Sequence, residues 1–299
     1  MNHAVDISKF HKSFGNKEVI KQMDLQIDSG EVYALIGANG SGKTTTIRCL
    51  LNIYTIYQGE LLVYGQRYTE KQAHILGYLP EERGLYLGMR TLDALLYHAT
   101  LKGISKKDAT TASREYLESV GIAEKGSQEI RKLSSGQQQK VQLGLALIHQ
   151  PKLLILDEPT KGLDPVNRKL LIDMIMELRD NGTTVLFSTH ILEEVEKVAN
   201  KVGILHNGRI ALDGSVNKVR EEAADGSYYI VIPEGTTIPK IDGISTTPFR
   251  EGYLVRTVKP AEDNEVLKKL LNEGVKIRSF ERYLPTIEQI FIDIMKGNN

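Results

Sequence analysis

Apolar and polar positions alternate from Val5 through Ile7 toward Lys9 and again at Met23, Leu25 and Ile27. That period of two predicts strands on either side of a turn at Gly15-Asn16. Asp28-Ser29-Gly30 reads as a second turn, and Val32–Ile36 is almost wholly apolar, as a strand covered on both faces would be. A glycine-rich loop follows, with a helix predicted to start near Lys43. Between about 90 and 150 the period lengthens: Leu92, Leu95, Leu96 and Ala99 form one helical stripe, and Tyr116, Leu117 and Val120 another. Leu153–Leu156 and Thr184–Phe187 are two further apolar runs, separated by a predicted helix around 166–180. Buried strands alternating with helices predict an α/β fold with a mainly parallel sheet.

The pattern changes near residues 221–227, where Glu-Glu-Ala-Ala-Asp-Gly-Ser reads as a linker. Beyond it, Tyr228–Ile232, Tyr253–Val258 and Val275–Tyr283 are predicted strands. The last helix is predicted to begin with Pro285 in its first position. Ile287, Ile290, Phe291, Ile294 and Met295 then share one face, expected to dock against the sheet beside it. The expected organisation is one domain over 1–222, with a helical subdomain at about 88–150, and a small α+β domain over 223–299.

Composition narrows the function. The 299 residues are 41% apolar and 25% charged, as in an ordinary folded protein. Lys+Arg and Asp+Glu both number 38, so the net charge is zero, and no nucleic-acid partner is expected. The single cysteine, Cys49, cannot form an intrachain disulfide, which suits a reducing compartment. Met1–Phe10 lacks the apolar core of a signal peptide. No apolar run approaches the roughly 18 residues that span a bilayer, so the chain is not expected to cross a membrane by itself.

Chemistry enters with Gly37-Ala-Asn39-Gly40-Ser41-Gly42-Lys43-Thr44, which fits the phosphate-loop pattern and is followed by Thr45. Glycines let successive amides turn toward a polyphosphate, and the helix start adds a positive dipole end. Lys43 would reach the β- and γ-phosphates, and Thr44 would give its hydroxyl to Mg²⁺. The bland alternative is a glycine-rich turn capping a helix. Asp157 and Glu158 follow a buried strand, at the end of the sheet where ligands gather. Asp157 would hold Mg²⁺ through its water shell, and Glu158 would orient and deprotonate an attacking water. Read alone, Asp-Glu after a strand is also an ordinary helix-start signal. Ser134, Ser135, Gly136 and Gln137 open a helical stretch, as a second anion-binding N-terminus or simply as a cap.

Taken in order, these motifs resemble the ATP-binding subunits of ABC transporters over about residues 4–220. Tyr78-Leu-Pro-Glu81 falls at the glutamine-loop position, Leu133–Gln137 at the signature, 153–158 at the Walker B segment, Gly162-Leu163-Asp164 at the D-loop and His190 at the switch histidine. The resemblance implies a phosphate-loop ATPase fold of ABC type, with an antiparallel β subdomain and a helical signature subdomain. It also implies two ATP molecules sandwiched between two such subunits, in a homodimer or with a close paralogue. Phe14 would stack on adenine with Val19 beside it, and the signature of one subunit would meet the γ-phosphate held by the other. His190 would bind that phosphate, and Asp164 would link the two sites. Against these stand plainer readings: Phe14 as core, His190 as a structural histidine, Asp164 as a helix cap.

The sequence departs from the family pattern twice. Glu81 stands where glutamine is usual, bringing a negative charge near the triphosphate and the Mg²⁺ it would approach, with Arg83 available to offset it. Ser135 stands where glycine is usual. Gly77–Tyr86 and the C-terminal segment resemble a bacterial sodium- and drug-exporter subgroup, whose pore is a separate transmembrane permease polypeptide. The implied protein is a cytoplasmic ATPase, peripheral on the inner face of the membrane, driving export. The rival reading is a soluble ABC ATPase acting on ribosomes or DNA. Such proteins generally carry two cassettes or long coiled coils, and this chain has one cassette and no heptad run.

Overall fold

The computed structural model describes residues 3–82, 84–257 and 263–297. The chain divides into two compact units, Met1–Val216 and Asn217–Asn299.

In the first unit, β1 (His3–Phe14), β2 (Lys17–Asp28), β3 (Val32–Ile36), α1 (Lys43–Leu50), β4 (Gln58–Val63) and β5 (Leu76–Leu79) come first. The helices α2 (Thr91–Leu101), α3 (Lys106–Ser119) and α4 (Ser135–Leu147) follow. Then come β6 (Leu153–Asp157), α5 (Pro165–Asp180), β7 (Thr184–Thr189), α6 (Leu192–Val198), β8 (Lys201–His206) and β9 (Arg209–Ser215). The central sheet has the order β5-β6-β7-β3-β8-β9, parallel except for β9. Every residue of β3, β6 and β7 is buried, so their unbroken apolar runs are what a doubly covered sheet requires. A separate antiparallel sheet, β2-β1-β4, packs its inner face into the same core through Val5, Ile7, Phe10, Met23, Leu25, Ile27 and Leu61. The helical region has its own core, including Leu95, Leu117, Val120, Ile130 and Val141.

The β1 alternation does not run on through Lys9. That residue has φ +47° and the pairing register shifts between Ile7 and Phe10, so a bulge turns Phe10 into the core and leaves Lys9 exposed. The Lys9 amide instead donates to Asp24 Oδ1 at 2.8 Å.

The second unit contains most of α7 (Val216–Glu222), then β10 (Tyr228–Val231), β11 (Ile244–Phe249), β12 (Gly252–Thr257), α8 (Asp263–Asn272), β13 (Ser279–Arg282) and α9 (Ile287–Lys296). Its antiparallel sheet has the order β11-β12-β10-β13, and Tyr228, Ile230 and Val255 pack with Val266 and Leu270 of α8. Glu221 and Glu222, expected in a linker, are helical: Val219 is buried and Arg220 Nε donates to the Pro285 carbonyl at 2.9 Å, holding α7 in place. The last strand starts at Ser279, not Val275, because the chain leaves α8 through Gly274 (φ +78°) and Val275 fills the core before pairing begins. Val258, expected to end β12, lies outside the described residues. Pro285 precedes the helix it was predicted to open. Thr286 is the N-cap, accepting from the Gln289 amide at 3.2 Å while Gln289 Oε1 accepts from the Thr286 amide at 3.0 Å, a reciprocal capping box.

Candidate functional site

Residues 37–42 join β3 to α1, and two glycines explain the loop's shape. A Cβ on Gly37 would stand 2.6 Å from the Leu205 carbonyl oxygen. Gly42, the N-cap of α1, has φ +115°, which an L side chain rarely adopts. Asn39 and Gly40 are exposed, and Ser41 Oγ is buried with no hydrogen-bond partner. An unspent hydroxyl beside a helix start is chemistry suited to an anion. Thr45, on the first turn of α1, is half-buried.

Lys43 folds back over this loop. Its Nζ donates to the Gly37 carbonyl at 2.8 Å and lies 3.2 Å from Glu158 Oε1. Glu158 Oε2 in turn lies 2.6 Å from His190 Nδ1. One carboxylate thus joins the ends of β6 and β7 to the loop after β3. Glu158 is held firmly: its backbone has φ +50°, and its amide donates to Ser188 Oγ at 3.0 Å and to the Ser188 carbonyl at 3.1 Å. A non-glycine residue in that region costs about 1–3 kcal/mol, and such outliers cluster at functional sites.

Asp157 is fully buried. Its Oδ1 accepts from Ser188 Oγ at 2.6 Å and Thr44 Oγ1 at 3.2 Å, while Oδ2 has no partner. Burial raises its pKa, the two hydroxyls pull it back, and Glu81 and Glu158 push it further up. A buried carboxylate oxygen without a partner, next to a threonine hydroxyl, is an oxygen donor set that fits a hard divalent cation. Glu81 Oε1 meets Lys161 Nζ at 2.6 Å. Arg83, the expected counter-charge, lies outside the described residues.

Phe14 ends β1 and is 45% exposed, so it is not core. Its ring lies edge-on to Tyr54, with Lys12 Nζ 4.9 Å from its centroid. Val19 is half-buried, and its Cγ1 is 3.4 Å from where a Cβ on Gly42 would stand.

Ser134 is the N-cap of α4, in a capping box with Gln137. Ser135 is exposed, and Gly136 lies so close to Asn167 that an added Cβ would be 2.8 Å from Asn167 Nδ2. Asp164 caps α5, accepting from the Val166 and Asn167 amides, each at 3.0 Å. Asn167 therefore touches both the signature glycine and the D-loop aspartate.

Sequence reasoning assigned no role to Ser188, Lys161 or Asn167. Ser188 was recoverable, since it sits directly opposite Asp157 in the parallel register of β6 and β7. Lys161 and Asn167 carry no signal until the loops are folded.

The family description "ABC transporter" matches residues 20–161, and "ATP-binding protein DrrA1-3-like, C-terminal domain" matches residues 214–295. The uncharacterized ABC transporter ATP-binding protein YhaQ of Bacillus subtilis is 35% identical over 94% of this chain and 95% of its own length. This chain belongs to the ABC transporter ATP-binding proteins. The linearmycin resistance ATP-binding protein LnrL of Bacillus subtilis is 27% identical over 95% of each chain. A solved structure of an ATP-binding subunit of an ABC transporter superposes with TM-score 0.69 and 29% identity, over 73% of this chain and 92% of the other. As a member of this family the chain binds ATP and is an ATPase coupled to transport. ABC ATP-binding subunits pair with transmembrane permease components. No described helix of this one is long and apolar enough to cross a membrane.

Proposed function

We propose that two copies of this chain, or this chain and a close paralogue, close on two ATP molecules and drive export through a separate transmembrane permease, working from the inner face of the cell membrane. The observation that carries the hydrolytic part is the Lys43–Glu158–His190 chain of contacts, 3.2 Å on one side and 2.6 Å on the other. Lys43 and His190 are the groups that a γ-phosphate would draw to itself. As they turn to phosphate, the Glu158 carboxylate is released to take a proton from the attacking water. Residues 39–45 hold the phosphates, Phe14 stacks on adenine with Val19 at its flank, and Ser134–Gln137 of the facing copy reach the γ-phosphate. Asp164 lies between the two sites. Thr44 and Asp157, with Glu81, would hold Mg²⁺, and the ion would supply charge neutralisation at the phosphates. Positioning and charge stabilisation by these groups supply most of the catalysis, since phosphoryl transfer to water asks little covalent chemistry of the protein.

Export rather than import is supported by LnrL, a resistance protein alignable over nearly the whole chain, and by the DrrA1-3-like match. We read 1–222 as the cassette and 223–299 as an accessory domain. Purification from membranes in mild detergent tests the transport assignment. A co-purifying multi-span protein is expected, and ribosomal material in its place would overturn it.

A further inference from the structure

Glu194 is a buried carboxylate to which the hydrolytic reading gives no task. It lies on α6, four residues after His190, and is 3% exposed. Its Oε2 accepts from Thr160 Oγ1 at 2.9 Å and from Thr189 Oγ1 at 3.4 Å. Thr160 follows Glu158 by two residues, and Thr189 immediately precedes His190. A single oxygen therefore ties together the two loops that carry the Glu158–His190 contact. The Thr189 hydroxyl also accepts from the Ile191 amide at 3.0 Å, so the turn after His190 is fixed to the same point. On the other side, Glu194 Oε1 faces Arg168 Nε at 3.6 Å, on the first turn of the helix that Asp164 caps. Burial pushes the Glu194 pKa up, while Thr160, Arg168 and Thr189 oppose it. A buried, partly compensated carboxylate is expensive to keep in a fold, and an apolar side chain of similar volume would pack there at lower cost.

We infer that Glu194 is a positioning residue for hydrolysis: it fixes the distance between Glu158 and His190 through Thr160 and Thr189, and through Arg168 it brings the D-loop helix into the same register. This inference rests on the reading that Glu158 and His190 act at the γ-phosphate. It assigns Glu194 no contact with nucleotide, so its loss acts on the chemical step and leaves binding at the phosphate loop alone. Displacements of about 1 Å at a reacting group are enough to cost up to ~10²-fold in rate.

The test compares Glu194→Ala, Glu194→Gln, Thr160→Val and Glu158→Gln in the full chain, measuring steady-state ATPase and the affinity for a fluorescent ATP analogue. Glu194→Ala is expected to lower kcat about tenfold or more with nucleotide affinity within about twofold of the parent. Glu194→Gln keeps a carbonyl oxygen for the two hydroxyls and is expected to recover most of that loss. Thr160→Val conserves volume, guards against a Glu194→Ala chain that does not fold, and is expected to lower kcat about threefold at unchanged affinity. Parent-like kcat in both Glu194→Ala and Thr160→Val, or a Glu194→Gln chain as impaired as Glu194→Ala, overturns the inference. If Glu158→Gln is inactive in that same set, the hydrolytic reading survives. An active Glu158→Gln chain overturns both.

Discussion

Lys43 Nζ and Glu158 Oε1 meet at 3.2 Å with each side chain only 6% exposed, so the phosphate-loop cation and the strand-end carboxylate neutralise one another inside the protein. A triphosphate would have to win Lys43 from that partner. Removing either member leaves the other without its buried counter-charge, a loss that typically costs about 3–5 kcal/mol.

Lys43→Ala is therefore expected to weaken ATP binding by at least ~10-fold and to lower the urea midpoint of the chain. Nucleotide titration and denaturation of the same sample measure the two effects. Unchanged affinity would contradict the assigned role of Lys43.

Glu158→Gln frees Lys43 without removing it. Affinity for ATP should be equal to or tighter than that of the parent, while turnover falls by at least ~10². Single-turnover hydrolysis with bound ATP isolates the chemical step, and near-normal turnover would remove Glu158 as the base.

Thr44 and Asp157 share a hydrogen bond at 3.2 Å beside the unpaired Asp157 Oδ2. Asp157→Asn should raise the Mg²⁺ concentration for half-maximal ATPase activity by at least ~10-fold. A Mg²⁺ titration at fixed ATP reads this directly, and a superimposable curve would count against the assignment.

His149 gives the fold a pH dependence of its own. Burial, then Lys102, depresses its pKa to about 4, with His98 and His74 adding to the effect and the Leu76 carbonyl, 3.0 Å from Nε2, opposing it. The imidazole is neutral in the fold, whereas an unfolded histidine takes a proton near its ordinary value of 6.5. This group's contribution is thus fully present above pH 6.5 and is lost as pH falls toward about 4. His149→Gln keeps a donor for Leu76 without titrating. Its urea midpoint should fall less between pH 7.5 and 5 than the parent's, and equal falls would refute the assignment.

The parts of the fold that sequence made legible are those with a strong one-dimensional signal. β3, β6 and β7 are buried on both faces and so appear as unbroken apolar runs, and α5 has a proline after an aspartate cap. β11 escaped notice because Ser245, Thr246 and Thr247 are exposed and give no alternation, whereas α8 carries a legible signal in Val266 and Leu270, one turn apart and both buried. At the site, residues 37–44, Asp157, Glu158 and His190 could be found because each sits in a motif or at a strand end. The pairing of Glu81 with Lys161 joins residues 80 positions apart, a contact that only the fold creates. The same holds for Gly136 against Asn167.

Shared active sites are the centre of this account, and dilution tests them most directly. ATPase turnover per chain should be measured from high concentration down to one where mass photometry finds only single chains, at saturating Mg·ATP. Turnover per chain should collapse as pairs disappear, falling in proportion to concentration at the dilute end, so that the total rate there varies with its square. Full turnover from chains shown to be single would contradict it.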